Sequence, residues 1–401
     1  MFKFNFKDLE ILVGDNKIDK IVDIPFENKI VEFLNFFSNH LIKDKKTRNY
    51  PDLIALSFWC RKKNITKFKK QFFNNETRLG RGLIFHITPS NVPTNFFYSL
   101  IFGLISGNSN IVRVPSKNFE QIKIICDNLN KIIKKKQFRF IAKLITIIRY
   151  DNTQNNITNF FSCNCDLRII WGGDNTINQV RQSKIQPHAI DITFSDRYSF
   201  SVINSKKIIS LKKKYLHILA KKFYNDTYVM DQNACSSPHV IFWYGNQTDM
   251  MKASKIFWDY LKNKILVDYD IPEVGIIDKF NQLCIDIASN INLKKTKIYS
   301  NKLHTVQLKK INDQLDQNKG KWGYFYEINL SNLNKLSNTV NSKYQTMTYF
   351  GLTKMELSQF MILNKLKGID RIVPIGEGLS MSLYWDGYDI IKSLSRTIEI
   401  K

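Results

Sequence analysis

The sequence predicts an α/β protein built on a parallel sheet with helices on both faces. Between residues 82 and 194, short apolar runs alternate with amphipathic stretches at helical spacing. The connections between them are mostly short and carry Gly, Pro or Asn. The chain has 401 residues, 43% of them hydrophobic and 13% aromatic, enough to bury a core in two or three domains. With only 16 Gly and 9 Pro, it is neither collagen-like nor disordered.

Taken in order, Gly82-Leu-Ile-Phe-His-Ile-Thr88 is a short apolar run bounded by Gly and Pro, as a buried strand is. A helix follows over 95–106, stopped by Gly107-Asn108. Residues 110–114 read as a strand, and 118–135 as a helix with Ile122, Ile125, Cys126, Leu129 and Ile132 on one face. Strand 144–148, helix 155–161, strand 166–170, helix 175–182 and strand 190–194 complete the alternation. Ligands of such sheets sit at the carboxyl ends of the strands.

Upstream, 30–41 and 61–73 read as surface helices packed on the sheet. After Val202 a basic amphipathic helix, about 208–224, leads to a polar segment 225–237, a strand 238–244 and a helix 249–264, which together suggest a second α/β domain. The tail, 394–400, alternates with period two, as a half-buried or edge strand does.

Lys and Arg number 60 against 35 Asp and Glu, a net charge of +25. The cations are spread over 61–70, 131–136, 206–222 and 294–297, and Asn and Ile are abundant too. This reads as a solvated, compositionally biased surface rather than a nucleic-acid footprint. The longest apolar stretch, around 96–106, falls short of a membrane span, and the segment around Asp8 and Glu10 has no secretory apolar region. A cytoplasmic protein without a membrane span is expected. Six cysteines in a chain this long make no disulfide framework. Cys163-Asn-Cys165 lacks a second pair at zinc spacing and its period of two fits a strand edge, so no metal is expected.

Four segments have the residue types for chemistry. Asp231-Gln-Asn-Ala-Cys-Ser-Ser-Pro-His239 is a small polar loop entering an apolar strand, where backbone N–H groups favour a thiolate at Cys235 and an adjacent oxyanion. A buried structural cysteine is the other reading. In His86-Ile-Thr-Pro-Ser-Asn-Val-Pro93, two prolines stiffen a loop that can hold the Asn91 amide outward as an oxyanion donor; a turn asparagine bonding its own backbone is the commoner case. Trp171-Gly-Gly-Asp-Asn-Thr176 ends a strand and opens a helix, where Gly172 and Gly173 let a phosphate approach, although such residues are common at strand-to-helix turns. Asn110-Ile-Val-Arg-Val-Pro-Ser-Lys117 brings Arg113, Ser116 and Lys117 together, suited to a ribose or its phosphate and equally to solvent.

Together these segments resemble the aldehyde dehydrogenase superfamily, and within it the acyl-CoA reductase (LuxC-type fatty-acid reductase) family. Gln345-Thr-Met-Thr-Tyr-Phe-Gly-Leu352, Gly368-Ile-Asp-Arg-Ile-Val-Pro-Ile-Gly-Glu-Gly378 and Tyr384-Trp-Asp-Gly387 extend the match, in order, from about residue 80 to the C-terminus. The resemblance implies that Cys235 attacks an acyl thioester and that NADPH, or NADH, reduces the acyl-enzyme to an aldehyde. It implies an oxyanion hole from Asn91 and the Cys235 N–H. Gly172 and Gly173 would meet the pyrophosphate, and Arg113, Ser116 and Lys117 would lie near the adenosine ribose. In luminescent bacteria the related reductase works with an acyl-protein synthetase, so CoA, an acyl carrier or an acylated protein is the implied partner.

Two departures are informative. The region that holds a general-base Glu in hydrolytic relatives corresponds to Phe194-Ser-Asp-Arg-Tyr-Ser-Phe200, which has no Glu; without a base to activate water, thioester reduction is favoured over hydrolysis. Val114, not Lys, precedes Pro115, which leaves the ribose contact open. The implied architecture is aldehyde-dehydrogenase-like: N-terminal helices and a Rossmann-like cofactor domain over 1–204, a catalytic domain over 205–385, and a C-terminal oligomerisation strand over 386–401, hence a homo-oligomer. His239 reads as a strand residue rather than an acid or base. The alternatives are an acyl-phosphate reductase of the same superfamily and a basic, non-catalytic nucleic-acid-binding scaffold.

Overall fold

Short runs rich in Ile, Val and Leu form the strands of the first unit in the computed structural model, which describes residues 2–72, 76–289 and 292–401. They are β1 (Glu10–Val13), β2 (Thr77–Gly80), β3 (Leu83–Ile87), β4 (Ser109–Val114), β5 (Ile145–Arg149), β6 (Leu167–Trp171) and β7 (Ile190–Phe194). All but β2 share one sheet in the order β1-β5-β4-β3-β6-β7, with β3 to β7 parallel and β1 antiparallel at the edge. The chain steps outward from β3 to β4 and β5, then returns to lay β6 on the other side of β3. That reversal places a topological switch point between β3 and β6.

Helices cover both faces. They are α1 (Asn28–Lys43), α2 (Pro51–Trp59), α3 (Lys62–Phe72), α4 (Asn95–Ile105), α5 (Glu120–Ile133), α6 (Asn155–Asn164) and α7 (Asp174–Arg181). α1 falls in the expected helical region 30–41, burying Phe33, Leu34, Phe37 and Leu41 on one face while Lys29, Glu32, Asn39 and Lys43 stay exposed on the other. Phe73, the expected end of α3, lies outside the described residues. Cys163-Asn-Cys165 is no strand edge: Cys163 is in the last turn of α6 and Cys165 caps it, donating its N–H to the Phe161 carbonyl.

The second unit has β8 (Tyr198–Asn204), β9 (Pro238–Tyr244), β10 (Leu293–Ser300), β11 (Leu303–Leu308), β12 (Tyr324–Leu330), β13 (Tyr344–Phe350) and β14 (Arg371–Pro374). Their order is β10-β11-β12-β9-β8-β13-β14, parallel except for the edge strand β10. Its helices include α8 (Ser205–Ile209), α9 (Lys213–Thr227), α10 (Gln247–Lys264) and α11 (Glu273–Ser289). The single basic helix expected over 208–224 is in fact α8 and α9, broken at residues 210–212. Glu327 of β12 is buried and accepts the indole N–H of Trp243 and of Trp258, each at 2.7 Å, so both rings sit in the core with their donors satisfied.

The compact units are the chain up to Asp196 together with Met381–Lys401, and Arg197–Ser380. The expected boundary at 204/205 therefore moves upstream of β8, because β8 is paired on both edges by β9 and β13. The C-terminal segment rejoins the first unit at Met381 rather than at residue 386. Its strand β15 (Ser395–Ile398) pairs antiparallel with β2 of its own chain. Arg78 fastens the pair, donating to Ser395 Oγ at 2.9 Å and to the carbonyls of Lys392 and Ser395.

A buried polar ladder ties β6, α4, β3 and β4 together. The Trp171 indole donates to Ser99 Oγ (3.0 Å), Ser99 to His86 Nδ1 (2.7 Å), His86 Nε2 to Asn110 Oδ1 (3.0 Å), and the Asn110 amide to the Asn108 carbonyl (2.7 Å). Only glycine fits at Gly103 beside it, since a Cβ there would lie 1.8 Å from Asn110 Oδ1. The direction of the ladder makes His86 a neutral Nε2–H tautomer, and burial pulls its pKa from 6.5 down to about 4. A depressed histidine contributes stability, about 3 kcal/mol, that is present above its unfolded pKa and lost as pH falls through the folded one. Ring NMR of histidine-labelled protein should show the Nε2–H tautomer from about pH 8 to about 5; a ring titrating at its ordinary pKa would contradict the ladder.

Candidate active site

The carboxyl ends of β3, β4 and β6 come level at the switch point, where Ile87 pairs with Arg113 on one side and Ile170 on the other. Asn91 is exposed in the loop that leaves β3. Ser116 and Lys117 are exposed just past β4, and Arg113 is half-buried on it. The Arg113 guanidinium lies 4.7 Å over the Tyr150 ring and donates to the Tyr150 carbonyl at 3.3 Å, as does the Ser116 hydroxyl at 3.3 Å. Arg113 Nε is buried without a hydrogen-bond partner. The Lys117 ammonium lies 5.2 Å from the Phe119 ring.

Gly172 and Gly173 connect β6 to α7, and they differ. A Cβ at Gly172 would meet the Thr176 side chain at 3.1 Å, whereas one at Gly173 would meet nothing within 4 Å. Gly173 caps α7 with an extended backbone and no side chain over the first N–H groups, which leaves them open to an anion. Asp174 in the first turn opposes one. Arg168 holds the far end of α7: two parallel bonds of 2.7 Å go to Asp191, and others to Ser162 Oγ and the carbonyls of Val180 and Ser183. Thus six of the seven residues singled out in the sequence stand on one end of the first sheet. The seventh, Cys235, belongs to the second unit.

Cys235 lies half-buried in the loop between α9 and β9. This is the amino end of the parallel strands, so the carboxyl-end expectation holds no guidance for this unit. The loop opens with two residues in the left-handed region, Asp231 (φ 50°) and Gln232 (φ 59°), which side chains rarely adopt. The Tyr269 hydroxyl holds Asp231 at 2.6 Å, and burial raises the Asp231 carboxyl above its ordinary pKa. Gln232 is buried and uses its whole amide: Nε2 donates to the carbonyls of Pro238 and Tyr324, and Oε1 accepts the N–H groups of Gly323 and Tyr324.

Two neighbours position Cys235 itself. Ser199 donates to its carbonyl at 2.7 Å while accepting the Thr346 N–H at 3.2 Å. Gln345 Nε2 donates to Sγ at 3.3 Å, and the Thr346 hydroxyl donates to Gln345 Oε1 at 3.3 Å, which orients the amide nitrogen toward the sulfur. Gln345 heads one of the segments that carry the resemblance, but no pattern in the sequence points it at a thiol. Ser199 falls in the region where hydrolytic relatives carry a Glu, and it offers a hydroxyl. His239 is buried on β9, stacked on Tyr198 with ring centroids 5.3 Å apart, and its Nδ1–H donates to the Gly320 carbonyl at 2.9 Å.

The glycine-rich segment after β14 has a structural part. Asp226, near the end of α9, accepts the N–H groups of Gly376 (2.6 Å) and Gly378 (2.8 Å), and its own carbonyl accepts the Ser237 hydroxyl (2.8 Å). Arg371 takes the carbonyls of Glu377, Gly378 and Ser380. Burial pushes the Asp226 carboxyl up to about 7 against these donors. Among the described residues no cluster of three His, Cys, Asp or Glu is placed to hold a metal ion, and no helix is long and apolar enough to cross a membrane.

The fold is similar to that of an NAD-dependent benzaldehyde dehydrogenase from Corynebacterium glutamicum, at 12% identity and TM-score 0.63 over 93% of this chain and 84% of that one. It is similar also to the Delta-pyrroline-5-carboxylate dehydrogenase from Mycobacterium tuberculosis, at 10% identity and TM-score 0.62 over 94% and 78%. The fold is aldehyde-dehydrogenase-like. No curated protein sequence matches the chain. The acyl-CoA reductase (LuxC) family profile matches residues 45–267, more than half of the chain and the whole Cys235 loop, so the protein is an enzyme of the acyl-CoA reductase (LuxC) family.

Proposed function

We propose that the protein reduces an acyl thioester, on CoA or an acyl carrier, to an aldehyde through an acyl-Cys235 intermediate with NADPH as reductant. The observation that carries this reading is a half-buried thiol on a strained, over-determined loop with an amide donor aimed at its sulfur. The Gln345 N–H stabilises the thiolate, which attacks the thioester carbonyl; the C–S bond to the carrier breaks and the carrier leaves as a thiolate. The nicotinamide, when bound, supplies the hydride that reduces the acyl carbon. The resulting oxyanion expels Cys235 as a thiolate and the aldehyde departs. The oxyanion role that the resemblance gives Asn91 is part of this proposal.

The first sheet fits a dinucleotide. Gly173 leaves open space at the amino end of α7 for the pyrophosphate, and the buried unpartnered Nε of Arg113 is a donor without an acceptor. Lys117 and Ser116 are the exposed groups suited to a ribose phosphate. The division of labour follows the two units, and the ribbon of β2 and β15 is the proposed subunit contact, each strand keeping one open edge.

NADPH absorbance followed with acyl-CoA thioesters from short to long should fall with the wild type and not with Cys235→Ala; thioester-dependent oxidation by the variant would remove the nucleophile from the reading. In a background lacking the exposed Cys163 and Cys284, Gln345→Ala should slow alkylation of Cys235 by iodoacetamide at neutral pH about five- to tenfold, the worth of one hydrogen bond. An unchanged rate would mean the amide does not tune the thiol. Gly173→Ala, whose Cβ meets nothing, should cost no more than about 1 kcal/mol of unfolding stability, the difference between Gly and Ala at a helix N-cap, yet weaken NADPH binding about tenfold. Equal affinity would place the pyrophosphate elsewhere.

A further inference from the structure

The second unit carries a surface that the reductase chemistry does not use. Residues 206–222 include seven lysines, Lys206, Lys207, Lys212, Lys213, Lys214, Lys221 and Lys222, and no Asp or Glu. All seven are exposed, and among the described residues no carboxylate pairs with any of them. α9 packs Leu216, Leu219, Ala220 and Phe223 inward. Its outer side presents Lys214, Ile218 and Lys221 along one line, flanked by Tyr215 and Lys222.

Two features of this surface bear on the kind of partner it fits. Large apolar side chains project among the lysines: Ile209 is 38% exposed, Tyr215 55% and Ile218 43%. And Lys212, Lys213 and Lys214 crowd the amino end of α9, which has no acidic residue in its first turn. The helix dipole disfavours cations there, so the helix's own stability does not account for them.

We propose that the outer surface of α8 and α9 docks on an anionic phospholipid bilayer. Its lysines meet the acidic headgroups, while Ile209, Tyr215 and Ile218 enter the boundary between headgroups and acyl chains. Charge alone would suit a polyphosphate chain equally. The projecting aliphatic side chains favour lipid, because burying them against a phosphate backbone gains nothing and burying them among acyl chains does. The inference rests on this surface and is independent of the reductase reading.

The test is co-sedimentation of the full chain with vesicles of phosphatidylcholine alone or with one third phosphatidylglycerol. Partitioning should be at least tenfold greater to the acidic vesicles and should weaken with salt. The triple variant Lys212→Gln, Lys213→Gln, Lys214→Gln should lower it about a hundredfold, about fivefold per lysine. The paired variant Tyr215→Ser, Ile218→Ser should lose the part that survives high salt. Circular dichroism checks that each variant is folded. A control with the same charge change elsewhere, Lys131→Gln, Lys134→Gln, Lys135→Gln, should stay within about threefold of wild type. An equal fall in that control would show a net-charge effect and overturn the site. So would equal binding to neutral vesicles, or tighter binding of duplex DNA through the same three lysines.

Discussion

The placement of Cys235 depends on one buried side chain. Asp231 and Gln232 adopt left-handed backbone angles that cost about 1–2 kcal/mol each, so the loop would relax without something to oppose it. The Gln232 amide opposes it with four hydrogen bonds, two to carbonyls of Pro238 and Tyr324 and two from the N–H groups of Gly323 and Tyr324. At about 1 kcal/mol net for each, these offset the strain. They also couple the loop to β9 and β12 at once. A residue with fewer functions could not do this: Glu would bring two acceptors and a buried charge, and Leu would leave four backbone groups unsatisfied.

The two sheets use opposite ends. In the first unit every candidate residue lies where a strand runs out into a helix, the usual place for a ligand in an open parallel sheet. In the second, the chain descends α9 and must turn sharply into β9, and Cys235 sits in that turn at the strands' amino ends. The turn is polar because it is crowded with backbone. Ser199, Ser237 and Thr346 are buried there with their hydroxyls hydrogen-bonded. Asp226 and Arg371 clamp the following glycine-rich segment from its N–H and its carbonyl sides respectively.

How much of this is legible in the sequence follows from which forces are local. The strands and helices of residues 82–194 are, because short apolar runs between Gly and Pro leave few alternatives; β3, β4 and β7 begin and end within a residue of their expected limits. α2 is not legible because Leu53, Leu56 and the residues around them give an apolar stretch with little amphipathic contrast. Cys163 and Cys165 suggested a period of two that a helix end satisfies by accident. The break between α8 and α9 is hidden because lysines and isoleucines continue through it. Cys235 was legible from its loop, but Gln345 was not. It lies 110 positions away, and only the pairing of β8 with both β9 and β13 brings it to the sulfur.

That distant glutamine bears on which reaction the loop is suited to. A carboxylate beside the sulfur would disfavour the thiolate and offer a base to an incoming water. An amide donates to the sulfur and takes no proton. The segment 194–200, which the resemblance matches to a Glu-bearing stretch of hydrolytic relatives, has no Glu; its Ser199 hydroxyl is committed to the Cys235 carbonyl and its oxygen already accepts the Thr346 N–H. In the proposed reaction the Gln345 amide favours formation of an acyl-enzyme, and neither it nor the Ser199 hydroxyl is a base that would activate water against it. Under the proposed chemistry the acyl group then leaves by hydride transfer or by return to a thiol, and the same neutrality that protects the intermediate keeps the sulfur a good leaving group when the aldehyde forms.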